Sequence, residues 1–140
     1  MPDNASLKSA IEVHDSVLAA VDHDSVGVTI HLAPAYIHKS TGEPGVDPGT
    51  GWIQNVILAI EEGSIEGEIP KMPCKLSDGR LNVGQRLWEN TIPLPVECNG
   101  NLKLVLTGMW GGELTITGKR IFSKSIGEPE YVEKFSGASK

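Results

Sequence analysis

The stretch that decides the fold is Val26-Gly27-Val28-Thr29-Ile30-His31-Leu32. Its apolar residues recur at every second position, the period of a strand with one buried face, and Thr29 and His31 take the other face. Upstream, Val17, Ala19 and Val21 repeat that period. The intervening Asp22-His23-Asp24-Ser25 is turn chemistry, because Asp and Ser bond their own backbone in tight bends. Pairing Val21 with Val26, Ala19 with Val28 and Val17 with Ile30 sets apolar against apolar throughout, so this is the expected register.

Two more hairpins follow from the same pattern. Trp52, Val56, Leu58 and Ile60 share a face, Glu61-Glu62-Gly63-Ser64 makes a turn, and Ile65 to Ile69 returns, with Ile60 opposite Ile65 and Val56 opposite Ile69. Leu102 to Leu106 pairs with Glu113 to Thr117, Leu106 opposite Leu114 and Leu104 opposite Ile116, around the tip Gly108-Met109-Trp110-Gly111-Gly112. Shorter strands are expected near Leu81–Val83, after a turn at Ser77-Asp78-Gly79, and near Thr91–Val96. Pro93 and Pro95 suit an edge strand there, their missing donors facing outward. Seven or eight short strands make a single all-β domain, an antiparallel β-sandwich or partly open β-barrel.

Three segments lack a clear period. Residues 1–13 are ambiguous. Residues 33–51, with prolines 34, 44 and 48 and glycines 42, 45, 49 and 51, read as one long connection. Residues 136–140 read as a disordered tail.

A length of 140 residues is enough for one domain with a real core. Eighteen acidic against twelve basic residues give a net charge of −6, and the basic residues are dispersed. A nucleic-acid binder needs a clustered positive footprint, so DNA and RNA are disfavoured. Two cysteines are too few for a disulfide framework, no signal-peptide pattern opens the chain, and the longest apolar run, Val56 to Ile60, is too short for a membrane helix. A cytoplasmic location away from membranes is expected.

All four histidines, His14, His23, His31 and His38, fall in one short stretch that also holds Asp15, Asp22 and Asp24. In the expected register His14 and His31 are diagonal neighbours on one face, β-carbons on the order of 7 Å apart. His38 would join them from the loop, with Glu43 or Asp47 in support, to hold a transition metal such as zinc. A nucleophilic triad does not emerge, since the adjacent His14, Asp15 and Ser16 alternate faces and cannot form one relay.

Seven aromatic residues are present, and Trp110 stands at a glycine-flanked tip beside Met109, where a polar turn is expected. Tryptophan is enriched at binding hot spots. Trp110, Met109, Tyr36, Lys39 and Trp88 are therefore the candidate contact residues. The leading expectation is a non-enzymatic binding or interaction module for a protein partner or a second copy, with Trp110 and the segment from Tyr36 to Gly51 on one surface. The alternative is a metal-dependent small-molecule enzyme or metal-binding domain using His14, His31 and His38, with Tyr36 and Lys39 orienting a substrate. A sugar or other small-molecule ligand stacked on Trp88 or Trp52 is a third.

Overall fold

The computed structural model describes residues 8–44 and 46–136. Expectations for residues 1–7 and 137–140 lie outside the described residues. Ten strands follow one another: β1 (Lys8–Glu12), β2 (Val17–His23), β3 (Gly27–Ser40), β4 (Gly49–Glu61), β5 (Ser64–Gly67), β6 (Cys74–Val83), β7 (Arg86–Glu89), β8 (Thr91–Pro93), β9 (Glu97–Gly108) and β10 (Glu113–Phe135). A single 3-10 turn, Val13–Asp15, separates β1 from β2. No helix among the described residues is long and apolar enough to cross a membrane. The protein is all-β, as expected, but with more strands and several far longer ones, β10 alone running 23 residues.

Every pairing among the described residues is antiparallel. The order β2-β6-β9-β10-β4-β3 closes on itself because β2 also pairs with β3. The closing seam is short: β2 meets β6 only at Val17↔Lys75 and Leu18↔Cys74. The far halves of β3, β4 and β10 run on past this ring, and β1 and then β8 add to β3 there, giving a barrel with an open sheet at one end. Ile11, Leu18, Ile30, Leu32, Ile37, Leu58, Leu81, Leu104 and Ile116 are among the side chains sealed in the core. Each such burial contributes about 1.5–3 kcal/mol.

The third hairpin has the expected register, Leu114↔Leu106 and Ile116↔Leu104. The first hairpin is shifted. Val21 faces Ile30, His23 faces Val28, and Val26 is a turn residue 66% exposed. Asp24 sets this register: its Oδ1 accepts from the amides of Val26 (2.8 Å) and Gly27 (3.2 Å), and its own amide donates to the Gly27 carbonyl (2.9 Å). A bulge at Ala19 then exchanges the faces of β2, so Leu18 rather than Val17 is buried opposite Leu32.

The second hairpin does not form. At Glu62 the backbone turns left-handed (φ 53°), and β5 continues beside β10, Ile65 facing Ile116 and Gly67 facing Leu114. β4 and β5 are thus successive segments along the same neighbour. Gly118 makes room for this kink, since a β-carbon there would stand 2.4 Å from Cγ2 of Ile60.

The expected long connection over 33–51 is mostly strand. β3 runs to Ser40 and β4 begins at Gly49, leaving only 41–48 between them. Pro34 is tolerated because the ladder skips between Leu32 and Ala35, so no inter-strand bond is asked of it. The remaining loop is closed by Ser40 Oγ donating to the Pro48 carbonyl (2.8 Å) and by Asp47 Oδ2 accepting from the Glu43 amide (2.6 Å). Likewise Ser77-Asp78-Gly79 is a bulge inside β6 rather than a turn. The strand expected over Thr91–Val96 ends at Pro93, which does sit on an edge strand, with Pro95 beyond it.

Candidate functional site

The open sheet carries a polar cluster on one face. Opposite residues of an antiparallel pair share a face. Glu12↔Tyr36 and Ala10↔His38 therefore align across β1 and β3, and His38↔Gly51 and Gly51↔Glu133 extend the row across β4 and β10.

Two glycines form the floor. A β-carbon at Gly51 would stand 2.0 Å from the Tyr36 hydroxyl, and one at Gly49 would stand 2.9 Å from His38 Nε2. Without side chains at 49 and 51, the phenol and the imidazole take the space over β4. Tyr36 thereby reaches β10 and donates to Glu133 Oε2 at 2.5 Å. Burial, with the bond to Glu133 and that carboxylate's charge, pushes the Tyr36 phenol well above its usual range, so it remains a donor.

Glu12 and His38 are almost fully withdrawn from water, 8% and 0% exposed. Burial raises the Glu12 carboxyl against the opposing pull of His14, and Asp15 and Glu133 add to the rise. Burial lowers the His38 imidazole, while the charge of Asp47 acts the other way. Their nearest atoms, Glu12 Oε2 and His38 Nδ1, are 3.6 Å apart. The other Glu12 oxygen lies 3.5 Å from His14 Nε2, which is 3.3 Å from Asp15 Oδ2.

The backbone under this cluster is held on both sides. The Val13 amide donates to the Asn90 carbonyl (2.8 Å), and the Ser16 amide to the Val13 carbonyl (3.0 Å). The buried Ser16 hydroxyl donates to the Glu12 carbonyl (2.9 Å) and accepts from the Tyr36 amide (2.9 Å). Such a frame, with His14 and Asp15 at its mouth and Glu12 and His38 buried behind them, can hold a cation or pass a proton.

Of the three histidines expected to converge, two meet at Glu12, and His31 goes elsewhere. In the shifted register His31 faces Ala20, not Ser16, and its Nε2 lies 2.9 Å from Asp22 Oδ2. His14 sits in the 3-10 turn rather than on β2, so the expected His14–His31 diagonal is not formed. Of the supporting acids, Asp47 lies close enough to His38 for its charge to act on the ring. Glu12 and Glu133 were not expected. Glu12 is signalled only by its place in the apolar run Ala10-Ile11-Glu12-Val13, and Glu133 by nothing in its surroundings.

The candidate contact residues do not share one surface. Met109 and Trp110 cap the β9–β10 hairpin, 41% and 86% exposed. Tyr36 is tied to Glu133 at the other end of β10. Lys39 takes the opposite face of the open sheet, its Nζ 4.6 Å from the centre of the Trp52 ring, which also meets Tyr131 edge-on. Trp88 carries the Arg86 guanidinium on its ring and walls a cleft of about 570 Å³ with Lys8, Ala10, Pro93, Leu94 and Pro95.

Comparison of the chain with protein-family models, with curated proteins and with solved structures finds no match.

Proposed function

We propose that the chain is a non-enzymatic binding module that associates through the apolar tip at Met109 and Trp110, with a second copy of the chain as its partner. The observation carrying this reading is Trp110, at 86% the most exposed large hydrophobic side chain among the described residues. The tip backbone is well tied: the Gly108 amide donates to the Gly112 carbonyl (2.9 Å) and the Met109 amide to the Lys75 carbonyl (2.8 Å). Trp110 is therefore presented on a rigid platform, which lowers the entropy lost on contact. Ile69, 44% exposed, is carried to the same end by Pro70, which lies against Gly112. Clustered exposed apolar groups of this kind mark contact surfaces. Two buried free thiols, Cys74 and Cys98, support a reducing compartment such as the cytoplasm.

Light scattering across a concentration series tests this. The wild-type mass should rise above that of one chain, and Trp110→Ala should return it to the monomer. A wild type that stays monomeric, or a variant with unchanged mass, overturns the reading.

The cleft beside Trp88 favours a second reading, a small apolar ligand. Its size falls within the ~300–1,000 Å³ of small-molecule sites. Binding of the dye ANS should weaken in Trp88→Ala. Unchanged binding would count against it.

A further inference from the structure

We propose that Glu12, His14 and Asp15 form a binding site for a divalent transition-metal ion of the zinc class. One ligand atom from each residue lies within 4.8 Å of the other two. The separations of His14 Nε2 from Glu12 Oε1, 3.5 Å, and from Asp15 Oδ2, 3.3 Å, carry the argument. Both exceed the ~2.7–2.9 Å of a charge-assisted hydrogen bond, so His14 is not clasped by either carboxylate as a donor. Both match the spacing of about 3.4 Å between ligands held about 2.1 Å from a tetrahedral ion. His14 thus stands at the spacing of two ligands of one ion from each carboxylate.

Local backbone explains the convergence. Glu12 caps the 3-10 turn Val13–Asp15 and Asp15 is its last residue; residues three apart eclipse each other in such a turn, and His14 lies between the two. The frame of hydrogen bonds from Asn90, Ser16 and Tyr36 fixes that turn before any ion arrives. Fixing ligands in advance is what lets three of them suffice.

Burial divides the roles. The Glu12 side chain is only 11% exposed, whereas those of His14 and Asp15 are 43% and 47% exposed. A carboxylate so withdrawn from water needs a cation or a full set of donors. The exposed pair leaves the outer positions of the ion to water or to an incoming ligand. His38, 3.6 Å from the second Glu12 oxygen, stands behind the site, where partners of ligating groups are commonly found. One imidazole with two carboxylates suits zinc, manganese, iron or nickel better than calcium or magnesium, which favour all-oxygen shells.

The test is calorimetric titration of zinc sulfate into tag-free protein stripped with chelator and dialysed into chelator-free buffer. One zinc per chain is expected. Binding should weaken at least ten-fold in His14→Ala and in Asp15→Asn, both surface changes that leave the melting curve of the stripped protein in place. His31→Ala, which removes the His31–Asp22 pair away from the site, should bind as wild type does. Zinc should raise the melting temperature of the wild type and of His31→Ala but not of His14→Ala, since an ion that binds only the folded state stabilises it. Absence of binding, equal binding in His14→Ala, or equal loss in His31→Ala overturns the proposal. Trp110→Ala should bind zinc unchanged, which keeps this result separate from the fate of the tip.

Discussion

Tyr36 and Gly51 share one space: a β-carbon at position 51 would stand 2.0 Å from the phenolic oxygen. The obstacle is the far end of a side chain, not backbone. Gly51→Ala should therefore be met by Tyr36 swinging out and losing Glu133, at a cost of about 1–2 kcal/mol. Because the whole penalty acts through the phenol, it should nearly vanish in a Tyr36→Ala background. A double-mutant cycle by urea unfolding checks this, and additive costs would refute it.

Gly27 presents the opposite case. A β-carbon there would meet the Ile60 carbonyl oxygen at 2.0 Å, and that atom belongs to the backbone of β4. No rotamer change relieves the clash. Gly27→Ala should cost more than Gly51→Ala, about 3 kcal/mol or above. The two midpoints, compared in one denaturant series, give the ranking.

These glycines also show why part of the fold was hidden in the sequence. Glycine and proline punctuate local patterns, so 33–51 reads as a connection. Gly49 and Gly51 are in a strand because β3 needs the room: a β-carbon at 49 would meet the Lys39 carbonyl oxygen at 1.9 Å, and one at 51 the Tyr36 hydroxyl at 2.0 Å. Such a reason appears only after the strands are paired. The β4–β5 kink is hidden differently: Ile65 finds an isoleucine whether it faces Ile60 or Ile116, and apolar matching cannot choose. The β9–β10 hairpin was legible because its register rests on neighbours close in sequence. The site divides in the same way. His14 and His38 stand out by residue type, while Glu133 reaches Tyr36 from 97 positions away.

Core substitutions should follow burial in that legible hairpin. Leu104 and Ile116 face each other and are fully buried. Leu104→Ala should cost about 2–5 kcal/mol. Trp110→Ala, at the exposed end of the same hairpin, should stay within about 0.5 kcal/mol of wild type. Thermal melts of both variants separate the structural role from the contact role. A large loss in Trp110→Ala would mean that the tip supports the fold.

The first hairpin makes its own pH dependence. The amides of Val26 and Gly27, both donating to Asp24, hold its carboxyl below the ordinary value of 3.8. A carboxyl whose folded value is depressed adds stability above its unfolded value, and that stability is lost as pH falls through the folded value. Asp24→Ala should therefore destabilise the protein at neutral pH, and the gap from wild type should narrow in strongly acidic solution, below the depressed value, where only the neutral acceptor remains. Asp24→Asn keeps an oxygen that can accept from the same amides but cannot ionise. It should fall between the two at neutral pH and show none of the Asp24 contribution to the acid slope. Urea midpoints for the three proteins, followed from neutral to strongly acidic buffer, decide the matter. A gap between wild type and Asp24→Ala that persists unchanged in acid would show that the register is held by the turn backbone, the Asp24 amide on the Gly27 carbonyl, and not by the charge.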